Sequence, residues 1–263
     1  MSQIRVLIVG AAGRMGKEIV KAVSSQQDMS VVAAIDRMQV GKDAGAVAGI
    51  DPLGIALTDS LADAIAQTKP EVAVDFSLPD AVMANARALV SAKVAPVIGA
   101  SGLTDGNMKE LAALCERHST PAFYTPNFAI GAVLMMKFAA EAARHMDAAE
   151  IIELHHATKL DSPSATAART ARLMAAAPDT KVTRSPSADH GTARGATVEG
   201  IPVHSVRLPG LVAHQEVIFG ALGQTLTLRH DSTGRDSFMP GIVYTIRKIR
   251  TLTGLTIGLE NIL

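Results

Sequence analysis

Hydrophobic residues in the first half of the chain fall into short unbroken runs separated by amphipathic stretches. Residues 4–9, 30–35, 72–76, 96–99 and 121–124 are runs of the kind that fill parallel strands buried on both faces. Helical periodicity occupies 17–24, 60–67 and 81–93, and a further helix runs through Arg117 from a cap at Thr104. This alternation predicts a parallel sheet with helical crossovers. Residues 131–146 read as one amphipathic helix, with Val133, Met136, Phe138 and Ala139 among its apolar positions. A β-rich run over 149–154 and a helical run over 165–177 follow.

Beyond that point the pattern changes. Residues 179–199 are polar and read as a long loop. Runs at 203–207, 214–219 and 225–230 then recur at hairpin spacing with glycine-rich turns. They predict an antiparallel or mixed sheet with one face wet or set against another subunit. Residues 237–250 return to helix, with Pro240 near its start and Gly254 after its end. The expected fold class is α/β, with a parallel-sheet domain over 1–126 on which 237–263 packs back, and an α+β domain over 127–236.

The first strand runs into Gly10-Ala11-Ala12-Gly13-Arg14-Met15-Gly16, and the second closes on Asp36-Arg37. Strand, glycine-rich turn, helix, strand and acid form the dinucleotide-binding arrangement of Rossmann-type domains. Gly10 allows the tight turn, Gly13 lets the backbone approach a pyrophosphate, and Gly16 lets the helix pack closely. Asp36 can accept from the ribose 2′-hydroxyl of NAD, and Arg37 can hold the 2′-phosphate of NADP. Both NADH and NADPH are therefore expected cofactors. Ligands of an open parallel sheet sit outside the carboxyl ends of its strands, so Gly99, Ser101 and Asn127 are candidate contacts.

Lys plus Arg and Asp plus Glu are equal at 25 each, which leaves no basic footprint for nucleic acid. Trp is absent, and Cys115 is the one cysteine, so no internal disulfide forms and a reducing compartment is expected. Its helical neighbours make it a core residue. No apolar run approaches the length of a membrane span. With a strand starting almost at the N-terminus, no cleavable leader is expected, and the cytoplasm is the expected location.

Chemistry concentrates in Glu153-Leu154-His155-His156-Ala157-Thr158-Lys159-Leu160-Asp161-Ser162-Pro163-Ser164-Ala165-Thr166-Ala167. Ser162 is the expected helix cap and Pro163 the first helical residue. The free N–H groups of that first turn, beside Lys159 and two histidines, form a site for a small carboxylate with a proton donor at hand.

This stretch, with residues 9–16, Asn127-Phe128-Ala129-Ile130-Gly131 and Val206-Arg207-Leu208-Pro209-Gly210 followed by His214, resembles the 4-hydroxy-tetrahydrodipicolinate (dihydrodipicolinate) reductase family of lysine and diaminopimelate biosynthesis. The resemblance covers essentially the whole length. It implies that Gly10, Ala11, Ala12, Gly13, Arg14 and Met15 cradle a pyrophosphate and that Asp36 and Arg37 hold the adenosine end. Gly99, Ala100 and Ser101, with Thr125, Pro126, Asn127 and Phe128, would hold the nicotinamide. It implies proton donation by His155 or Lys159, and substrate contacts from His156, Ala165 and Thr166. A homotetramer built through the second domain's sheet is also implied. The residue types suit hydride and proton addition across a C=C conjugated to an imine, since an imidazole can donate near neutrality.

Two positions depart from the family pattern: Ala165 where glycine is usual, and Ala100-Ser101 where Thr-Thr is usual. A Cβ at 165 is harmful only if φ there is positive. Two other readings stay open, a different two-domain Rossmann dehydrogenase and a nucleotide-binding regulator that has lost turnover.

Overall fold

The computed structural model describes residues 3–182 and 192–263 and divides into two compact units, Met1–Phe128 with Phe238–Leu263, and Ala129–Ser237. In the first unit, β1 (Ile4–Val9), α1 (Arg14–Ser24), β2 (Met29–Ile35), α2 (Ala44–Ala48), β3 (Leu57–Thr58) and α3 (Leu61–Thr68) come first. β4 (Val72–Asp75), α4 (Val82–Ser91), β5 (Ala95–Ile98), α5 (Asp105–His118) and β6 (Ala122–Tyr124) follow. β4 and β5 are buried at every residue, as strands covered on both faces must be. Thr104 caps α5 in a reciprocal box: its Oγ1 accepts the Asn107 N–H (3.2 Å) while Asn107 Oδ1 accepts the Thr104 N–H (3.0 Å). Cys115 lies buried in that helix, and burial pushes its thiol up to about 11.

The second unit holds α6 (Ile130–Ala142), β7 (Ala148–His155), α7 (Ala165–Ala175), β8 (Ala196–Val198), β9 (Ile201–Arg207), β10 (Ala213–Ala221) and β11 (Gln224–Ser232). Its five strands run β11-β10-β7-β9-β8. The sheet is mixed: β7 pairs β9 in parallel and β10 antiparallel. Along β7 burial alternates, so Ala149, Ile151 and Glu153 share the inner face. Ile151 joins Val217, Phe219, Met135, Ala139, Ala171 and Met174 in this unit's core. Part of the expected loop over 179–199 is therefore sheet, since β8 pairs with β9. Residues 183–191 of that loop lie outside the described residues.

The chain then returns to the first unit as α8 (Met239–Ile249) and β12 (Leu255–Ile257). β12 pairs in parallel with β6 and completes a seven-stranded sheet of order β12-β6-β5-β4-β1-β2-β3. The unit boundaries fall after Phe128 and after Ser237.

Two local expectations are corrected. α1 begins at Arg14 rather than Lys17, because Gly13 is its N-cap and its carbonyl accepts the Lys17 N–H (3.0 Å). α7 is capped by Ser164, not Ser162, and Pro163 precedes the helix across a cis peptide bond. The Ser164 Oγ accepts the Ala167 N–H (3.1 Å), which makes Ala165 the first helical residue.

Candidate active site

The first unit places the expected dinucleotide residues at the carboxyl ends of β1, β2, β5 and β6. Gly10 turns at φ +80°, and a Cβ there would lie 2.8 Å from the Phe76 carbonyl oxygen. A Cβ at Gly16 would run into the Gly10 carbonyl, so α1 can start against its own turn only with glycine there. The Gly10 and Ala11 N–H groups donate to Ile35 O (2.8 and 3.0 Å), and that of Gly13 to Gly10 O (3.0 Å). The Ala12 N–H donates to Asp36 Oδ2 (2.9 Å). With the turn bonded to itself, what it offers an anion is the first turn of α1, at Arg14 and Met15. Those N–H groups have no intrahelical acceptor, and Gly13 sets no side chain over them.

Asp36 also accepts the Met38 N–H (2.8 Å), so it fixes the turn as well as facing outward. Each oxygen keeps a lone pair for a ribose hydroxyl. Arg37 is exposed. An uncapped helix start beside a glycine cradle and an acceptor at the next strand end fit a dinucleotide.

At the neighbouring strand ends, Gly99 and Ala100 donate their N–H groups to Asp75 O (2.9 and 3.2 Å). A Cβ at Gly99 would collide with the Phe76 ring. The Ala100 side chain packs in the core with Val82, Ile98 and Leu111, while Ser101 is exposed. Thr125 Oγ1 donates to Asn127 O (3.0 Å), and Pro126 is exposed. Phe128 is fully buried, its ring 5.7 Å from Phe76 and 6.0 Å from Phe123, so whatever it offers a ligand is main chain. Beneath this edge Asp75, also fully buried, accepts the Ser77 N–H (2.8 Å) and the Asn85 side-chain N–H (3.0 Å). Burial pushes its carboxyl above the usual range, and these bonds offset only part of that.

In the second unit the sheet register gathers the other site. On the inner face, Glu153 lies opposite Ser205 on β9 and Gln215 on β10, and His155 lies opposite Arg207. Glu153 is fully buried. Its Oε2 meets His155 Nδ1 at 2.5 Å, and Arg207 grips both oxygens, Nη1 on Oε2 (2.8 Å) and Nη2 on Oε1 (2.7 Å). Oε1 also accepts the Ser164 N–H (3.1 Å), which ties the strand end to the start of α7. Burial alone would raise this carboxyl, but hydrogen bonds from His155, Arg207 and Ser205 overcome it and hold the pKa at about 2. An ionised carboxylate only accepts, so His155 Nδ1 carries the proton of that bond and Nε2 is left as the exchanging nitrogen.

His156 is exposed, its Nδ1 2.9 Å from Thr158 Oγ1. Lys159 Nζ donates to Asp161 Oδ1 (2.7 Å), and Lys159, with a smaller contribution from the Ala165 N–H, holds the Asp161 carboxyl below its usual range. Ala165 is exposed and has no positive φ, and Thr166 is half-buried on the first turn of α7. The alanine at 165 thus meets no backbone penalty. Lys159, Ala165 and the buried Glu153–His155 pair are brought together by this short span.

Glu153, Arg207, Ser205 and Asp75 were given no role on the sequence alone. For Glu153 a signal existed: strand alternation puts it on the same face as Ala149 and Ile151, where a lone acid needs a buried partner.

Residues 4–128 match the model of "Dihydrodipicolinate reductase, N-terminus" and residues 131–263 that of "Dihydrodipicolinate reductase, C-terminus". A 4-hydroxy-tetrahydrodipicolinate reductase of Moorella thermoacetica is 50% identical over 100% of this chain and 99% of its own. One of Desulfitobacterium hafniense is 46% identical over 100% of both. Among solved structures, a dipicolinate-bound dihydrodipicolinate reductase from Paenisporosarcina sp. TG-14 superposes with a TM-score of 0.87 at 41% identity, covering 99% of this chain and 100% of that one. An amine dehydrogenase from Mycobacterium smegmatis, at 16% identity and TM-score 0.68 over 97% of this chain and 95% of that one, shares the fold. With both halves matched and relatives this similar over their full length, the chain belongs to the dihydrodipicolinate reductase family.

Proposed function

We propose that the chain reduces 4-hydroxy-tetrahydrodipicolinate to tetrahydrodipicolinate, a step of lysine and diaminopimelate biosynthesis, with NADH or NADPH. The observation that carries this reading is the full-length 50% identity to a protein of that name. Loss of the hydroxyl as water leaves a C=C conjugated to an imine, which takes hydride at one carbon and a proton at its neighbour. The bound nicotinamide supplies the hydride. Arg14, Met15 and Asp36 would hold the dinucleotide's diphosphate and ribose, with Arg37 available to a 2′-phosphate. Gly99, Ala100, Ser101 and residues 125–128 would line its nicotinamide end.

The proton comes from Nε2 of His155 in its imidazolium form, which is left as the neutral Nδ1–H tautomer because the Nδ1–H is committed to Glu153. Lys159 and the N–H groups of Ala165 and Thr166 receive a substrate carboxylate, and His156 is a further contact. Asp161 already holds Lys159 and the Ala165 N–H, so substrate binding exchanges one carboxylate for another. Thr166, Ala165 and Lys159 together neutralise charge without supplying the proton.

The outer face of the second unit's sheet supports the tetramer reading. The face opposite the core carries half-buried Ile152, Leu154, Val206 and Ile218 beside the Arg229–Glu216 ion pair (2.9 Å). Light scattering after gel filtration tests it. No helix among the described residues is long and apolar enough to cross a membrane, and a cytoplasmic location is proposed.

The activity test follows NADH and NADPH absorbance while a dihydrodipicolinate synthase makes the substrate in situ. Turnover with either nucleotide is expected, with kcat falling on the order of a hundredfold or more in His155→Ala. Absence of turnover with both nucleotides would overturn the reading.

A further inference from the structure

We infer that Glu153 is the positioning residue that holds the proton-donating imidazole and the carboxylate-binding helix start in one frame. This inference rests on the reductase reading of His155 and α7 given above. Four donors converge on the two oxygens of one fully buried carboxylate: His155 Nδ1, both terminal nitrogens of Arg207 and the Ser164 N–H. A carboxylate has about four lone-pair positions, so Glu153 is saturated and has no capacity to take or give a substrate proton. What remains to it is geometry. Through Oε2 it sets the ring plane and tautomer of His155. Through Oε1 it sets the amide of Ser164, the cap of the helix whose next two residues are Ala165 and Thr166.

Arg207 extends the frame. Its Nη2 donates to the Asp161 carbonyl (2.6 Å) as well as to Glu153, which ties the loop carrying Lys159 to the same carboxylate. Glutamine cannot replace this group. Its amide has one accepting oxygen, and its NH2 would face donors where the second oxygen now accepts. The two halves of the site lie eleven residues apart between Glu153 and Ser164, and the one carboxylate bonds to both.

The test is a double-mutant cycle read on two quantities, kcat with substrate made in situ and the dissociation constant of pyridine-2,6-dicarboxylate by calorimetry. Wild type, Glu153→Gln, His155→Ala and the double variant are compared. Glu153→Gln/Arg207→Met, which leaves no stranded guanidinium, serves if the single variant fails to fold by circular dichroism. Glu153→Gln is expected to lower kcat about a hundredfold in the wild-type background and less than about threefold once His155 is alanine. It is expected to weaken dicarboxylate binding about tenfold in both backgrounds, with NADH affinity unchanged. The 15N shifts of neutral His155 should move from the Nδ1–H toward the Nε2–H tautomer.

Equal kcat losses in both backgrounds, or unaltered dicarboxylate affinity with an unaltered tautomer, would overturn the inference. The tautomer and the dicarboxylate affinity are read without turnover. A wild-type protein that oxidises neither nucleotide would therefore bring down the reductase reading while leaving the role of Glu153 to be judged on its own.

Discussion

Asp75 and Glu153 occupy equivalent places in the two units. Each is a fully buried carboxylate at or near the carboxyl end of the middle strand of its sheet, β4 of seven strands and β7 of five. Their partners differ. Asp75 receives only neutral donors, the Ser77 N–H and the Asn85 amide. Glu153 receives a guanidinium fork and an imidazole. Two carboxylates closed to solvent therefore come out opposite: burial wins at Asp75 and raises its carboxyl, while at Glu153 the hydrogen bonds and charges win and lower it to about 2. The first carboxylate bonds within a turn beside the dinucleotide loops, whereas the second holds chemistry in place.

The largest expected effect breaks this pair apart. Glu153→Gln strands Arg207 beside a neutral side chain, and breaking a buried ion pair costs roughly 3 kcal/mol of stability. Asp75→Asn should change stability by no more than about 1 kcal/mol, because Asn85 can turn its amide and Ser77 its hydroxyl to reverse the network. Urea denaturation of both variants at neutral pH measures the contrast. Equal losses would mean that burial alone, and not the partners, sets the cost.

A second effect appears in the pH dependence. Glu153 has a folded pKa depressed from 4.5 to about 2, so its contribution, about 3 kcal/mol, is complete above pH 4.5 and lost as pH falls toward 2. Asp75 has a folded pKa raised above 3.8, so the stability contributed by its neutral form is complete below 3.8 and lost as pH rises through the folded value. Wild type should lose its advantage over Glu153→Gln on acidification, whereas Asp75→Asn should gain on wild type as pH rises. Stability curves that run in the same direction for the two variants would contradict these assignments.

Much of this arrangement is legible in the sequence, for identifiable reasons. Parallel strands are continuous apolar runs, so β1, β4 and β5 can be read directly. Gly10 and Gly16 announce a turn that admits no Cβ, and Thr104 stands at a helix start with Asn107 three residues on. Other features are set by partners far along the chain. Ser162 and Ser164 flank Pro163 with the same local capping signal, and what singles out Ser164 is its N–H on Glu153. Arg207 lies 54 residues from that same carboxylate. β3 and β12 have only two and three residues, too few to show any periodicity, and exist by pairing with β2 and β6.

The smallest expected effect lies beside Glu153, at the family's usual glycine. Ala165 opens α7 with a negative φ and an exposed side chain, so its Cβ meets neither strain nor a neighbour that must move. Glycine there would widen the unfolded ensemble and cost less than about 1 kcal/mol. The helix start is held by Ser164, whose N–H is on Glu153 and whose Oγ takes the Ala167 N–H, and neither bond involves the side chain at 165. Ala165→Gly should therefore leave kcat and dicarboxylate affinity within about twofold of wild type. A tenfold gain in affinity would show that the Cβ crowds the incoming carboxylate. The frame set by Glu153 would then be necessary for that subsite without being sufficient to shape it.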